Sequence, residues 1–153
     1  MKIAVFSDSH SHLTGMVNTI LTEKPDAVIH LGDLESDANS LSIRFPDLPI
    51  YSVCGNCDLM PINPERTTVE LGGKRIFMTH GHRYSVKMGL DKLINAAMAD
   101  RADIAMYGHT HIPYHEEVEG LHVINPGAAG VGGRYGILTI TSDGISYEGK
   151  IIE

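Results

Sequence analysis

The sequence predicts a mixed α/β domain, and three observations carry that prediction. Apolar strand-length runs alternate with amphipathic helical segments as far as Cys54. A Gly72-Gly73 dipeptide between two apolar runs then signals an antiparallel hairpin. Closely spaced strands separated by turn residues fill the C-terminal part.

Taken in order, Ile3 to Ser7 is a short buried-strand run. From Leu13 to Lys24, the residues Leu13, Met16, Val17, Ile20 and Leu21 share one helical face, and Pro25 stops the helix because it lacks an N–H and its ring clashes with the preceding turn. Ala27 to Leu31 repeats the strand signal, Ser36 to Phe45 is a second helix, and Ile50 to Cys54 a third strand. Strands separated by helices imply parallel pairing. Thr67 to Leu71 and Lys74 to Thr79 flank the Gly72-Gly73 turn and pair antiparallel. From Val86, the residues Leu90, Leu93, Ile94, Ala97 and Met98 recur at helical spacing, which predicts a third helix. Ile104 to Tyr107 reads as a strand. Tyr114 to Val118, Leu121 to Ile124, Gly136 to Thr141 and Ile145 to Ile151 follow, punctuated by Glu119-Gly120 and Asp143-Gly144 turns.

With 153 residues the chain is expected to be a single domain, 1–153, large enough to bury roughly 68–70% of its unfolded surface without disulfides or structural metals. No apolar run approaches the roughly 18 residues of a membrane helix, and Ile3 to Phe6 is too short for a secretory signal, so a cytoplasmic location is expected. Twelve Lys and Arg against 19 Asp and Glu leave a net charge of −7, which opposes stable binding to nucleic acid. Cys54 and Cys57 alone cannot form the disulfide framework of a small secreted domain. The nine histidines are the compositional oddity.

Their positions are informative. Five predicted strands each run out into a polar cluster: Asp8-Ser9-His10, Gly32-Asp33, Gly55-Asn56, His80-Gly81-His82 and Gly108-His109-Thr110-His111. In open α/β sheets ligands collect beyond the carboxyl ends of strands, so the five can converge on one crevice. Residues at i and i+2 of an extended segment project to one side, which pairs Asp8 with His10 and His109 with His111. Any one of these pieces alone is ordinary turn chemistry. Their coincidence argues for a shared catalytic metal site that needs no thiolate, suited to Mn, Fe, Zn, Ni or Co. Seven candidate ligands exceed the four of one tetrahedral ion, and sharing Asp33 between two ions gives each four.

The ordered series DSH, GD, GNCD, GHGH and GHTH resembles the calcineurin-like metallophosphoesterases, and the short chain with Asn56-Cys57-Asp58 and Asn125-Pro126-Gly127 is similar to their small YfcE-like phosphodiesterase branch. The resemblance implies two mixed β-sheets packed as a sandwich flanked by helices, with a dinuclear centre on one edge. It implies Asp8, His10 and His111 on one divalent ion, Asn56, His80 and His109 on the second, and Asp33 as the bridge, with His10, Asp33 and Asn56 also assigned to catalysis. Manganese is the first expectation for the ions. The expected reaction is in-line attack on a small phosphodiester by a hydroxide shared between ions about 3.5–4 Å apart. Larger relatives carry His after the Gly-Asn, where this chain has Cys57, so no general acid is assigned.

Other residues have plainer readings. His82 and His12 flank the clusters as loop histidines, with phosphate contact or proton shuttling as the alternative. His30 lies inside a strand and reads as a hydrogen-bonded core residue. Arg134 reads as exposed or as a clamp on a substrate oxygen. His115 and His122 read as incidental. Three rival functions are a CxxC redox module, against which Pro61 and Pro64 speak by opposing a helix after Cys54, a non-catalytic scaffold of the same fold, and a phosphomonoesterase. No membrane partner is expected, and a homodimer is left open.

Overall fold

A computed structural model describes residues 1–153. The strands are β1 (Lys2–Phe6), β2 (Ala27–His30), β3 (Ile50–Ser52), β4 (Arg66–Leu71), β5 (Lys74–Thr79), β6 (Ile104–Met106), β7 (Tyr114–Val118), β8 (Leu121–Asn125), β9 (Arg134–Thr141) and β10 (Gly144–Ile151). The helices are α1 (Leu13–Glu23), α2 (Glu35–Arg44) and α3 (Asp91–Ala99), with one 3₁₀ turn at His82–Tyr84. Each of two sheets has five strands, in the orders β10-β9-β1-β2-β3 and β4-β5-β6-β8-β7. In the first, β1, β2 and β3 are parallel and β9 runs against β1. In the second, β5, β6 and β8 are parallel, with β4 and β7 antiparallel on the two edges.

Period-two alternation builds the sandwich. Ile3 and Val5 of β1, Ile76 and Met78 of β5, and Ile104 and Met106 of β6 point inward and meet in one core between the sheets. The alternate residues Ala4 and Phe6 point outward and are covered by Met16 and Ile20 of α1 and Leu41 of α2. Phe77 and Ala105 point outward on the other side, under Leu93 and Ala97 of α3. The parallel strands are therefore buried on both faces, which explains their continuous apolar runs. With both faces filled, the polar residues that follow each strand are confined to the sheet ends.

The third helix is shorter than its periodicity predicts. Val86 and Leu90 do pack with Leu93 and Ala97, but Ser85 and Gly89 have φ of 52° and 155°, and the helix starts only at Asp91. No helix follows Cys54, in line with the Pro61 and Pro64 argument. Cys54 is buried, Cys57 is exposed, and both are free.

Candidate metal centre

Four chain segments assemble the centre. Asp8 and His10 follow β1, Asp33 follows β2, His80 closes β5, and His109 and His111 follow β6. Backbone hydrogen bonds tie the segments together, from Asp8 N to the Gly32 carbonyl at 3.1 Å, from Gly108 N to the His80 carbonyl at 3.0 Å and from Gly130 N to the Asp8 carbonyl at 3.1 Å.

Asp8 is fully buried and its two oxygens are used differently. Oδ2 accepts from Ser7 Oγ at 2.6 Å and from the His109 backbone N–H at 3.0 Å. Oδ1 is buried with no hydrogen-bond partner, although His111 Nε2 lies 3.1 Å away and His80 Nε2 3.8 Å. His80 has a fixed tautomer: its Nδ1 is 2.8 Å from the Leu31 carbonyl, which can only accept, so the proton resides on Nδ1 and Nε2 presents a lone pair. That lone pair is also buried and unpartnered, 3.7 Å from Asp33 Oδ1. A proton placed there would not satisfy it, since 3.7–3.8 Å is beyond hydrogen-bond range. Two buried electron-rich atoms, Asp8 Oδ1 and His80 Nε2, thus face each other without a hydrogen-bond partner, which is costly unless a cation lies between.

Asp33 divides the imidazoles into two groups. Its Oδ2 faces His10 Nε2 at 3.1 Å, and its Oδ1 faces His80. One ligand atom from each of Asp8, His10, Asp33 and His111 falls within 4.8 Å of the others, a set able to hold one metal ion. The His10 and His111 rings are 5.6 Å apart, while on the other side the His80 and His109 rings are 5.0 Å apart. His80 and His109 lie outside the set of four whose ligand atoms fall within 4.8 Å of one another. Asn56 is exposed, and its side chain makes one hydrogen bond, from Nδ2 to Cys57 Sγ at 3.7 Å. Six of the seven sequence-assigned residues are thus drawn together, and Asn56 lies on the rim.

Backbone conformation marks the same residues. Asp8, His10, Asp33, His109 and His111 all have positive φ, between 45° and 93°. Non-glycine residues avoid this region unless their surroundings hold them there, and such strain concentrates at functional sites. Two glycines permit the close packing. A Cβ on Gly55 would meet Asp33 Cα at 2.6 Å and His80 Cδ2 at 3.1 Å, and one on Gly108 would overlap Ser7 Oγ.

A buried polar chain supports the first loop; it includes His30, expected as a hydrogen-bonded core residue, together with Ser9 and Asp37, whose part in it was not expected. Gly32 N donates to His30 Nδ1 at 3.2 Å, so the His30 proton is on Nε2, which lies 2.9 Å from Ser9 Oγ. Ser9 Oγ donates in turn to Asp37 Oδ2 at 2.6 Å, and the same oxygen accepts from Ser11 N at 2.8 Å. Asp37, in the first turn of α2, therefore clamps the chain on both sides of His10. Asp58 does a similar job for the next loops, accepting from Glu35 N at 2.8 Å and Gly55 N at 2.7 Å. A clue lay in the run Ser7-Asp8-Ser9-His10, where every residue after an apolar strand is polar although three of the four are fully buried. Nothing in the sequence sets Asp37 apart from an ordinary first-turn acid.

Electrostatics follow the packing. Burial pushes His30 down to about 4, so it stays neutral. Burial also lowers His109, helped by His80 and Lys87, and lowers His82, helped by His80 and Arg83. Burial would raise Asp33, but hydrogen bonding from Cys57 and the field of His80 and His10 outweigh it, and the carboxyl sits below its ordinary value. The hydrogen bond to Asp33, with burial, pushes the Cys57 thiol up to about 11. Lone-pair imidazoles beside ionised carboxylates are the donor set a divalent ion requires.

Of the remaining residues, His82 is adjacent, its ring 5.6 Å from His80 and 6.2 Å from His109, with Nδ1 buried and unpartnered. His12 is exposed, with Nδ1 3.0 Å from the His10 carbonyl. Arg134 lines a cleft with α1 and β10. His115 and His122 stack on each other at 5.6 Å on the β7–β8 pair.

The profile of the calcineurin-like phosphoesterase superfamily domain matches residues 1–143. A Bacillus subtilis protein named Probable metallophosphoesterase YsnB is 33% identical over 152 residues, 94% of this chain and 86% of that one. A phosphodiesterase of Methanocaldococcus jannaschii is 34% identical over 144 residues, 83% of each chain. The crystal structure of a conserved uncharacterized protein of Streptococcus pneumoniae, a predicted phosphoesterase, superposes with a TM-score of 0.80 at 28% identity, covering 98% of this chain and 88% of that one. Its fold is the same sandwich of two mixed sheets. With nearly its whole length matched, the chain belongs to the calcineurin-like phosphoesterase superfamily.

Proposed function

We propose that the chain hydrolyses small phosphodiesters at a centre of two divalent metal ions. Asp8, His10 and His111 would hold one ion and Asn56, His80 and His109 the other, with Asp33 shared between the two sets. The observation that carries this reading is the buried and donorless pair Asp8 Oδ1 and His80 Nε2, with Asp33 Oδ1 beside them. Family membership makes the substrate a phosphoester, and the M. jannaschii relative named a phosphodiesterase favours a diester. Imidazoles and carboxylates without thiolate suit Mn, Fe, Ni, Zn or Co, with manganese the first ion expected from the family.

Bound divalent ions supply positive charge against the phosphoryl oxygens and lower the pKa of water at the site. The chain's own residues keep that chemistry in place. Ser7 Oγ and the His109 N–H hold Asp8 Oδ2, leaving Oδ1 to face inward. The Leu31 carbonyl fixes the His80 tautomer, and the Cys57 N–H donates to Asp33 Oδ1 at 3.2 Å. The overall charge of −7 does not repel the substrate, because the site's own negative charge is spent on the ions. No residue is placed as an acid for the leaving group, since the Cys57 proton is held by Asp33. The rate therefore falls steeply as the leaving group becomes more basic.

The test is reconstitution of chelator-treated protein with Mn, Fe(II), Ni, Zn or Co, followed by metal analysis and hydrolysis of bis(4-nitrophenyl) phosphate. Two ions per chain and chelator-sensitive hydrolysis are expected, both lost in Asp33→Asn. Turnover of monoesters alone would replace the diester reading, and a metal-free inert protein would favour a binding scaffold.

A further inference from the structure

Beside the centre lies a cleft of about 410 Å³, within the range of roughly 300–1,000 Å³ usual for small-molecule sites. Val86, Lys87 and Leu90 form one wall, from the non-helical stretch before α3, and Thr110, Ile112 and Tyr114 form the other, with Tyr107 between them. One of these residues ties the cleft to the metal centre. Thr110 stands between His109 and His111, and its hydroxyl is held by Asn125 Nδ2 at 3.0 Å and Ile112 N at 3.3 Å. Lys87 is the one cationic side chain among the lining residues.

The lining is chemically selective. Tyr114, half-buried, stands over Tyr107, which is 3% exposed and floors the cleft, the rings 6.4 Å apart and tilted at 59°, with aliphatic side chains beside them. Such an arrangement favours a flat ring, by edge or offset contact, over a flexible chain.

We propose that this cleft is the subsite for one ester arm of the substrate, and that the arm it takes is a planar aromatic ring, either an aryl group or a nucleobase. Lys87 at its edge supplies a cation to the phosphoryl group to which the ring is attached. The inference rests on the phosphoesterase reading and deepens it by naming the substrate class.

The experiment uses the full metal-loaded chain and measures inhibition constants of methylphosphonate, phenylphosphonate and a nucleoside 5′-phosphonate against bis(4-nitrophenyl) phosphate. In the wild type, at least one ring-bearing phosphonate is expected to bind ten-fold or more tighter than methylphosphonate. Leu90→Trp, which fills the cleft, is expected to bring that ratio within two-fold while methylphosphonate binding is unchanged. Ile112→Asp, at a 67% exposed position where folding is not at risk, places a carboxylate on the wall and should also cut the ratio. Saturation-transfer NMR from protein to ring protons gives a readout independent of turnover, and the signal should vanish in Leu90→Trp. A wild-type ratio near one, or a ratio that both variants leave intact, overturns the subsite. Failure of the wild type to hydrolyse any phosphodiester overturns the underlying reading instead. Which of the two ring-bearing phosphonates gains more distinguishes aryl from nucleobase.

Discussion

Replacing Gly108 by alanine tests the packing that holds Asp8. A Cβ at Gly108 would overlap Ser7 Oγ and lie 2.8 Å from Asp8 Oδ2, so the serine hydroxyl must move away from the carboxylate it donates to at 2.6 Å. Two costs follow. Overpacking a filled site costs about 1–3 kcal/mol, and losing a hydrogen bond to a buried charge costs about 1.5–3 kcal/mol. Because one displacement causes both, they overlap, and about 3 kcal/mol is expected. For a chain of this size that lowers the melting temperature by about 6–12 °C. Ser7→Ala alone loses only the hydrogen bond, about 2 kcal/mol. In the double variant the worst overlap is gone, while the new Cβ still lies 2.8 Å from Asp8 Oδ2 and 3.0 Å from Ser7 Cβ, so the loss should be about 3 kcal/mol against a sum of about 5, a favourable coupling of about 2 kcal/mol in a double-mutant cycle. Urea denaturation of the four metal-free proteins measures it. Additive losses, or a Gly108→Ala protein that melts with the wild type, would refute the reasoning.

Three further predictions follow from the buried groups. His30 is held at about 4 against about 6.5 in an unfolded chain, so the unfolded state binds more protons between those values; stability is complete above about pH 6.5 and declines by up to about 3 kcal/mol as pH falls to 4, a slope that urea titration should find largely absent in His30→Gln. Asp37→Asn weakens the hydrogen bonds from Ser9 and Ser11 that frame His10, which should cost about 1–2 kcal/mol and, if His10 binds metal, lower its affinity about 10–100-fold by calorimetry. Cys54→Ser with Cys57→Ser should retain metal-dependent hydrolysis within about three-fold, since neither thiol is placed as a ligand; abolition of activity with full metal content would assign chemistry to Cys57.

Much of the candidate centre was legible because each of its residues follows on a strand, where the apolar run stops and a polar cluster begins. Asp8, His10, Asp33, His80, His109 and His111 could be gathered on that ground alone, since parallel strands deliver their carboxyl ends to one edge. What was not legible depends on contacts remote in sequence. Asp37 is an acid in the first turn of a helix, a position equally natural for a solvent-facing residue, and only the fold brings it under Ser9. Asn56 looks like the other strand-end residues, yet its amide turns toward Cys57. Val86 and Leu90 keep helical spacing in a segment whose path is set by Ser85 and Gly89, because apolar spacing reports burial and not backbone geometry. The insertion of β8 between β6 and β7 likewise leaves no trace in local pattern, and the two-sheet sandwich came from the family resemblance, not from periodicity.

The left-handed backbone at His10, His109 and His111 sets heat tolerance and chemistry against each other. Glycine or asparagine would relax each of these positions, so a mutant library sorted for thermal survival alone should drift toward those residues and discard the imidazoles. Histidine at these torsions costs stability that only a role for the imidazoles would offset. Engineering for robustness should leave these three untouched and look instead to surface helices.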